Sequence, residues 1–287
     1  MAALNAYTNR DILKNALTIP TSTTAGHDQL DAVLEGVSRL IDEYVGFPFF
    51  PSSGSRFYTA PNSHEVCLDY PLTGVDSIQT ASNGGSTFGT TLASGDYYLS
   101  PYNATANSPK HPWWDIELRP NSTASFPAKT RRAVKVTGTW GYYDERASAT
   151  NMLSTGLDAT ATVMQITGAS ALHPGQTILI DSERMLVTRN GLSGSDTATT
   201  SGVVGIQRGV NGSVAATHAS GALLGIYQYP VVERAALYQA EMDYRAKDAP
   251  LGMAGADAFG TQRVQAPGGL HPFTQRMLAS FRKPVAF

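Results

Sequence analysis

The fold of this chain is decided at residues 39–50, RLIDEYVGFPFF, where a helical pattern ends and an aromatic cluster follows at once. Upstream, apolar side chains recur at the three- and four-residue spacing of a helix with one buried face. They are Leu30, Val33, Leu34, Val37, Ile41, Tyr44 and Val45. Gly46 can supply the left-handed residue that ends a helix, and Pro48 prevents its continuation. We therefore predict a long helix over about 28–45 that ends in a corner formed by Gly46, Phe47, Pro48, Phe49 and Phe50.

Beyond this corner the apolar period changes from helical spacing to alternation. Short strand-like runs separated by Gly, Pro, Asn and Ser turns occupy residues 56–143. The stretch DERASATNMLSTGLDAT then has the composition of a linker, and a second β-rich stretch runs from ATVMQIT to GALLGIY. Its short polar turns favour a small all-β barrel or sandwich, so residues 147–228 are predicted to form an inserted module.

The pattern becomes helical again after Tyr229, and Pro230 suits the first turn of a helix. We predict a C-terminal helix over about 230–248, ended by Pro250 and Gly252. The predicted fold class is therefore α+β: a small helical bundle with a β-strand region, formed by residues 1–146 and 229–287, plus the inserted module.

The tail has an uneven charge. No acidic residue follows Asp257, and four cations do, so with a net charge of −2 for the whole chain the preceding residues carry −6. Phe273, Met277 and Phe281 are spaced four apart, and a short helix there would have an apolar stripe flanked by arginines. Such a stripe suits packing on its own domain and docking on an acidic partner equally well.

Composition excludes several classes of function. Charged residues make up 15% of 287, and a net charge of −2 argues against general nucleic-acid binding, which needs a clustered cationic excess. No apolar run has the length of a membrane span, and the start lacks the pattern of an export signal. The single cysteine, Cys67, is expected to be a small buried residue in a reducing compartment.

Candidate catalytic groups are few. Asp115 and Glu117 in WWDIEL resemble the paired carboxylates of a glycosidase beside Trp113, but alternation along a strand explains them as solvent-facing residues. The six histidines lack metal-site spacing, and no phosphate-binding or nucleophile motif occurs. Lys129, Arg131 and Arg132 are interpreted as a charged strand edge. We predict no enzyme activity, no cofactor and no metal.

Four segments together resemble the head–tail connector, or adaptor, proteins of tailed bacteriophages. They are YTNRDILKNALTI, LIDEYVGFPF, GDYYLSP and VVERAALYQAEMDYRAKDAPLGMAGADAFGTQRV. The second contains I-D-x-x-x-G-x-x-F and the fourth A-P-x-G-x-x-G, which are loose patterns of that family. The resemblance covers residues 5–146 and 229–287; the 80 or so residues between them depart from it.

The resemblance implies a structural virion protein in the neck between capsid and tail, assembled in the bacterial cytoplasm. It implies a homo-oligomeric ring, commonly of 12 copies, that binds the portal protein and a tail-side neck protein, either a stopper or a tail terminator. Such a ring lines the channel through which double-stranded DNA passes without sequence-specific contacts, and it involves no membrane. The portal-docking tail would then comprise Phe273, Arg276, Met277, Phe281, Arg282, Lys283 and Phe287.

Two other functions stay open. A tail or receptor-binding protein would use the residues 147–228 as its working part. A carbohydrate-binding or carbohydrate-hydrolysing protein would use Trp113, Trp114, Asp115 and Glu117.

Overall fold

A computed structural model describes ten ranges of the chain: 4–20, 22–23, 25–81, 87–104, 111–167, 172–190, 202–246, 256–257, 260–261 and 269–282. The chain divides into two compact units. The first unit comprises Met1–Pro48, Glu145–Val210 and Val214–Phe287, and the second comprises Phe49–Asp144 and Asn211–Ser213. The chain therefore passes from one unit to the other directly after Pro48.

The first unit contains the four helices seen in the described residues. They are α1 (Arg10–Ala16), α2 (His27–Val45), α3 (Pro230–Ala246) and α4 (Pro272–Leu278), and a 3-10 turn over Ala279–Phe281 follows α4. The Asn9 side chain caps α1 by accepting a hydrogen bond from the Ile12 N–H at 3.0 Å. Helix α3 contacts α1, α2 and α4, so it is the centre of the helical part.

The second unit is built on one antiparallel sheet. Its strands are β1 (Ser52–Tyr58), β2 (Glu65–Thr80), β3 (Thr90–Thr91), β4 (Tyr97–Ser100), β5 (Trp113–Leu118) and β6 (Val134–Trp140), in the order β1-β6-β2-β5-β4, with β3 paired to β2. The 16-residue strand β2 pairs with β5 near its start and with β6 over its later part, with register shifts between the two. One core, which includes Leu68, Ile78, Ile116 and Trp140, lies on one face of this sheet.

The first unit contains a second antiparallel sheet. Its strands are β7 (Asp144–Met152), β8 (Val163–Gln165), β9 (Thr177–Ile180), β10 (Glu183–Asn190), β11 (Val203–Gln207) and β12 (Leu223–Gln228), in the order β7-β12-β9-β10-β11-β8. The Ser154 N–H donates to the Gln165 carbonyl at 2.8 Å, so the chain after β7 meets the end of β8. A short pair, β13 (Ala256–Asp257) and β14 (Gly260–Thr261), stands apart from both sheets.

The predicted architecture, a helical bundle carrying an inserted module, is wrong. The chain is mostly β-structure with two antiparallel sheets, and the helices α2 and α3 cover 27–45 and 230–246 without forming the main body of the fold. The second sheet is also joined to the N-terminal segment within the first unit: Thr177 donates to Asn5 Oδ1 at 2.9 Å. That contact spans 172 positions of sequence, and no local pattern reveals it.

The segment that composition favours as a linker contains a strand. Strand β7 runs through Asp144–Met152 and pairs with β12. Its letters, DERASATNM, lack the apolar alternation by which strands are recognised, because pairing at a sheet edge needs only backbone groups. Backbone pairing with β12 therefore makes this segment a strand.

A glycine on β6 allows two strands of the second unit to approach closely. A Cβ at Gly138 would lie 2.1 Å from the Gly74 carbonyl oxygen, whereas one at Gly54, its direct partner on β1, would meet nothing within 4 Å.

Gly138→Ala should therefore lower the free energy of unfolding by about 1–3 kcal/mol, since β2 has to move. All three tryptophans lie in the second unit, so fluorescence during urea unfolding reports on it. Gly54→Ala is the matched control and should leave the midpoint unchanged or slightly raised. Equal midpoints for the two variants would contradict the packing described.

Candidate functional site

The C-terminal segment packs on its own unit through a face that differs from the predicted stripe. Thr274 and Leu278, four positions apart on α4, are fully buried. The Gln239 side-chain oxygen on α3 accepts hydrogen bonds from the His271 N–H at 2.8 Å and from the Thr274 hydroxyl at 3.3 Å. A polar anchor on α3 therefore fixes which side of α4 faces inward.

The predicted docking residues that the structure describes are more exposed than Thr274 and Leu278, and Phe281 and Arg282 lie beyond the end of α4. Phe273 remains 40% exposed although its ring lies 4.9 Å from that of Tyr238. Arg276 is exposed, and Met277 and Phe281 are half-buried. We call Phe273, Arg276, Met277, Phe281 and Arg282 the tail outer face; the predicted Lys283 and Phe287 lie outside the described residues.

One arginine of the tail outer face already has an aromatic neighbour. The Arg282 guanidinium lies 4.9 Å from the centre of the Tyr44 ring, and the Tyr44 hydroxyl donates to the Gln275 carbonyl at 3.4 Å. These contacts link α4 and the residue after its 3-10 turn to the C-terminal end of α2. Contacts with α2 and α3 of the same unit therefore fix the position of the tail outer face.

The predicted corner is a helix terminus followed by alternate burial. Gly46 is left-handed, with φ of 95°, and its N–H donates to the Asp42 carbonyl at 2.8 Å. Phe47 and Phe49 are buried, whereas Pro48 and Phe50 are half-buried. Within the second unit, the Phe49 carbonyl accepts from the Tyr142 N–H at 2.9 Å.

A buried ion cluster organises one end of the second sheet. Glu183 on β10 has no exposed surface. Its carboxylate accepts hydrogen bonds from Nε and Nη2 of Arg208, each at 2.7 Å. It also accepts the Gly209 N–H at 3.0 Å, the Ala216 N–H at 2.9 Å and His218 Nε2 at 2.9 Å. These donors precede β12, so one carboxylate holds the connection between β11 and β12.

The electrostatics of this cluster favour the ionised carboxylate. Burial alone would raise the pKa of Glu183, but the hydrogen bonds from Arg208, the Ala216 N–H, His218 and the Gly209 N–H together lower it to about 2. A carboxylate offers about four acceptor positions, and the five donors occupy them. Glu183 therefore serves the structure and has no acceptor position left for a substrate proton.

A second polar cluster ties α1 to α2. Arg10 and Asp31, both buried, form a two-point ion pair with distances of 2.9 and 2.5 Å. His27 lies between two cations, with Nδ1 2.8 Å from Arg10 and Nε2 in contact with Lys14. Because Lys14 also donates to the Thr23 carbonyl at 2.6 Å, these groups are engaged with one another inside the helical part.

Helix α1 is also tied to the segment before β9 by a side-chain hydrogen bond. His173 Nδ1 lies 2.6 Å from the Asp11 carboxylate. This hydrogen bond, together with nearby Lys14 and Arg10, outweighs burial and lowers the pKa of Asp11.

The carboxylates of the proposed sugar site lie on the sheet face opposite the core. Ile116 and Leu118 are buried as the alternation predicts, and Asp115 and Glu117 point the other way. Glu117 accepts from the Tyr102 hydroxyl at 2.7 Å. A groove of about 490 Å³ in the same unit is lined by other residues, among them Thr80, Thr87, Thr123 and Ser125. Neither Asp115 nor Glu117 lines this groove.

One group of side chains has the spacing of metal ligands. Glu65, Cys67 and Asp115 offer ligand atoms that lie within 4.8 Å of one another. Cys67, expected to be buried, is exposed on the same face as the two carboxylates, because the residues that pack inward on β2 are its neighbours Val66 and Leu68. Exposed acidic groups commonly lie this close without an ion, so we assign no metal here.

Sequence reasoning missed the Glu183 cluster and one surface of the second unit. The signal for the first was present: Glu183, Met185 and Val187 alternate along β10, and a charge at an inward-facing position of an apolar alternation indicates a buried partner. The partners Arg208 and His218 had no such signal. The surface around Arg132, interpreted as a strand edge, carries aromatic rings that sequence spacing did not connect with it.

Among the helices of the described ranges, none combines the length and apolar character of a membrane span. Comparison with known protein families and with curated proteins gives no match.

Glu183→Gln should destabilise the first unit by about 3 kcal/mol at pH 7, because it leaves Arg208 and His218 buried against a neutral amide. The folded-state pKa, about 2, lies below the ordinary value of 4.5, so the stabilisation is complete above pH 4.5 and is lost as the pH falls towards 2. Thermal unfolding from pH 7 to pH 2 should show the wild type and the variant converging.

Asp181→Asn provides the control, since that carboxylate also contacts His218, at 2.7 Å, but its side chain is 63% exposed. It should cost less than about 1 kcal/mol. A difference between wild type and Glu183→Gln that stays constant with pH would contradict the assignment of the ionised carboxylate.

Proposed function

We propose that this protein is a structural component of a phage particle that joins the portal to the tail-side neck protein as a ring of copies around the DNA channel. The observation that carries the proposal is the division of the C-terminal segment into two faces. Thr274 and Leu278 anchor it to its own unit, and this leaves Phe273 and two arginines at the surface. A helix is a preorganised docking element when one face is fixed to its own unit and the exposed face carries an apolar residue and cations.

The partner side of this contact follows from charge. Arg276 and Arg282 are both exposed, and no residue of the tail after Asp257 is acidic. Burial of Phe273, now 40% exposed, would supply an apolar anchor, and the arginines would meet carboxylates at its rim. The proposed receptor is therefore an acidic groove with an apolar floor on the portal protein.

Two further features agree with an assembly role. The buried charges of the Glu183 and Arg10 clusters are taken up in holding elements together, and the groove of the second unit is lined by hydroxyl, small and apolar groups. The preceding −6 net charge suits a channel wall that does not retain passing DNA. These features support assembly over sugar hydrolysis by Asp115 and Glu117.

Phe273→Ser and Arg276→Glu should each weaken binding to the portal protein of the parent particle by about tenfold or more, or about 1.4 kcal/mol. Titration of the purified variants against that portal, followed by interferometry or calorimetry, measures the change. Val231→Ser is the matched control, because Val231 is 46% exposed at the start of another helix. An affinity unchanged by both tail substitutions would exclude docking through this face.

The role itself is tested by an electron cryomicroscopy map of the parent particle. The proposal expects this chain in a ring between portal and tail, with α4 against the portal. Density at the tail tip instead would support receptor binding. Loss of a hydrolytic activity on substitution of Asp115 and Glu117, with assembly intact, would support the carbohydrate alternative.

A further inference from the structure

A cationic and aromatic surface lies at one side of the second unit, on the sheet face opposite the core. Phe57 of β1 is exposed, and its ring lies 5.6 Å from that of Phe88. The Arg132 guanidinium lies 4.7 Å from the Phe57 ring, and Lys135, the cross-strand partner of Phe57, lies 5.9 Å from the Phe88 ring. We call these four residues, together with the exposed Arg131, the basic patch.

An acidic surface lies on the same sheet face at the start of β2. Glu65 is directly opposite Glu117, and Cys67 is opposite Asp115. We call Glu65, Asp115 and Glu117 the acidic patch. Its aromatic border is formed by Tyr98 and Tyr102, whose rings lie 5.6 Å apart and whose side chains are exposed.

Neither patch is neutralised within the described part of the chain. None of the ion pairs there uses a residue of either patch. Arg119 is the nearest cation to Glu117 along β5, but its guanidinium lies 4.3 Å from the Tyr98 ring and donates to the Tyr97 carbonyl. Like charges directly opposite on neighbouring strands destabilise a sheet, so the acidic patch carries a cost that a cationic partner would remove.

Among the described residues of one copy, the two patches form no ion pair with each other. Cys67, the β2 partner of Asp115, and Gln79, the β2 partner of Lys135, are 12 positions apart on the same strand. Both patches belong to one compact unit, so their separation is a fixed property of the sheet.

We propose that the acidic patch of one copy binds the basic patch of a second copy of this chain. The two patches are complementary: one has three cations and two phenylalanine rings, and the other has three carboxylates bordered by two tyrosine rings. Opposite charges set the partner and the register, and the aromatic side chains supply the buried contact area. The contact would bring arginine side chains of one patch next to tyrosine side chains at the border of the other. Both residue types are enriched among the residues that contribute most of the binding energy at protein interfaces.

A contact between two different patches is head-to-tail and leaves one patch of each kind available after every addition. Repetition with a closing rotation gives a ring, and repetition without one gives a filament. The inference deepens the proposed function by naming the surface between neighbouring copies, and it rests on that function only for the role of the assembly. The contact itself stands on the two patches.

The experiment is sedimentation velocity of the full chain at low and high salt, with two charge-reversed double variants. Arg132→Glu with Lys135→Glu makes both surfaces acidic, and Asp115→Lys with Glu117→Lys makes both basic. Wild type should associate at 50 mM salt and shift towards monomer at 1 M salt, and each variant alone should stay monomeric at least tenfold above the wild-type association concentration. An equimolar mixture of the two variants should associate again, because each acidic surface then meets a basic one.

The matched control is Glu35→Lys with Glu43→Lys, which reverses two exposed carboxylates on α2 and should associate as wild type does. Circular dichroism confirms that each variant is folded. The Asp115 and Glu117 variant should be at least as stable as wild type, since it removes the repulsion from Glu65.

Wild type that stays monomeric at every concentration and salt, or a mixture that does not associate, would overturn the proposal. Association that needs a divalent cation, is abolished by a chelator and is unaffected by the Arg132 and Lys135 variant would also overturn it, in favour of a metal-bridged contact. These outcomes are independent of the portal titration, so a failure of self-association and a failure of the proposed function can be told apart.

Discussion

The second unit depends on the single continuous strand β2, which pairs with β5 near its start and with β6 over its later part. Because one strand serves both pairings, every outward side chain of this sheet has a fixed position relative to every other. The acidic patch lies at the pairing of β2 with β5, and Lys135 of the basic patch lies at the pairing of β2 with β6. The close approach at Gly138, where a Cβ would lie 2.1 Å from the Gly74 carbonyl oxygen, falls between the two register shifts of the β2 and β6 pairing.

The first unit is held by charge in places where apolar packing alone would leave the connections undefined. Glu183 gathers donors from Arg208, His218 and two backbone amides, and so fixes the loop between β11 and β12. Substitution of one member of such a cluster leaves another charge buried without a partner. The resulting loss of stability is larger than the net stabilisation that the intact pair provides. Arg10 and Asp31 act in the same way between α1 and α2. The buried ionisable residues of these two clusters therefore act by holding structural elements together.

In the proposed assembly, each of the two units provides its own binding surfaces. The tail outer face of the first unit offers one apolar residue with arginines, and the second unit offers two patches of opposite charge. Portal docking and self-association would then use different surfaces, so a subunit could join its neighbours and its partner at the same time. Surfaces that meet through charge associate quickly and selectively, while their aromatic residues provide the area that keeps them together.

Local patterns in the sequence determined where the long helices and most strands lie: the α2 stripe and the end at Gly46 follow from helical spacing and from the backbone freedom of glycine. They also placed Asp115 and Glu117 outward. Only the tertiary structure decided that the chain is mainly two sheets, that β7 is a strand, and that α4 turns Thr274 inward and Phe273 outward. The reason is physical: Asn5 meets Thr177, Glu183 meets Arg208 and Gln239 meets Thr274 across long separations, and periodicity carries no information about such partners.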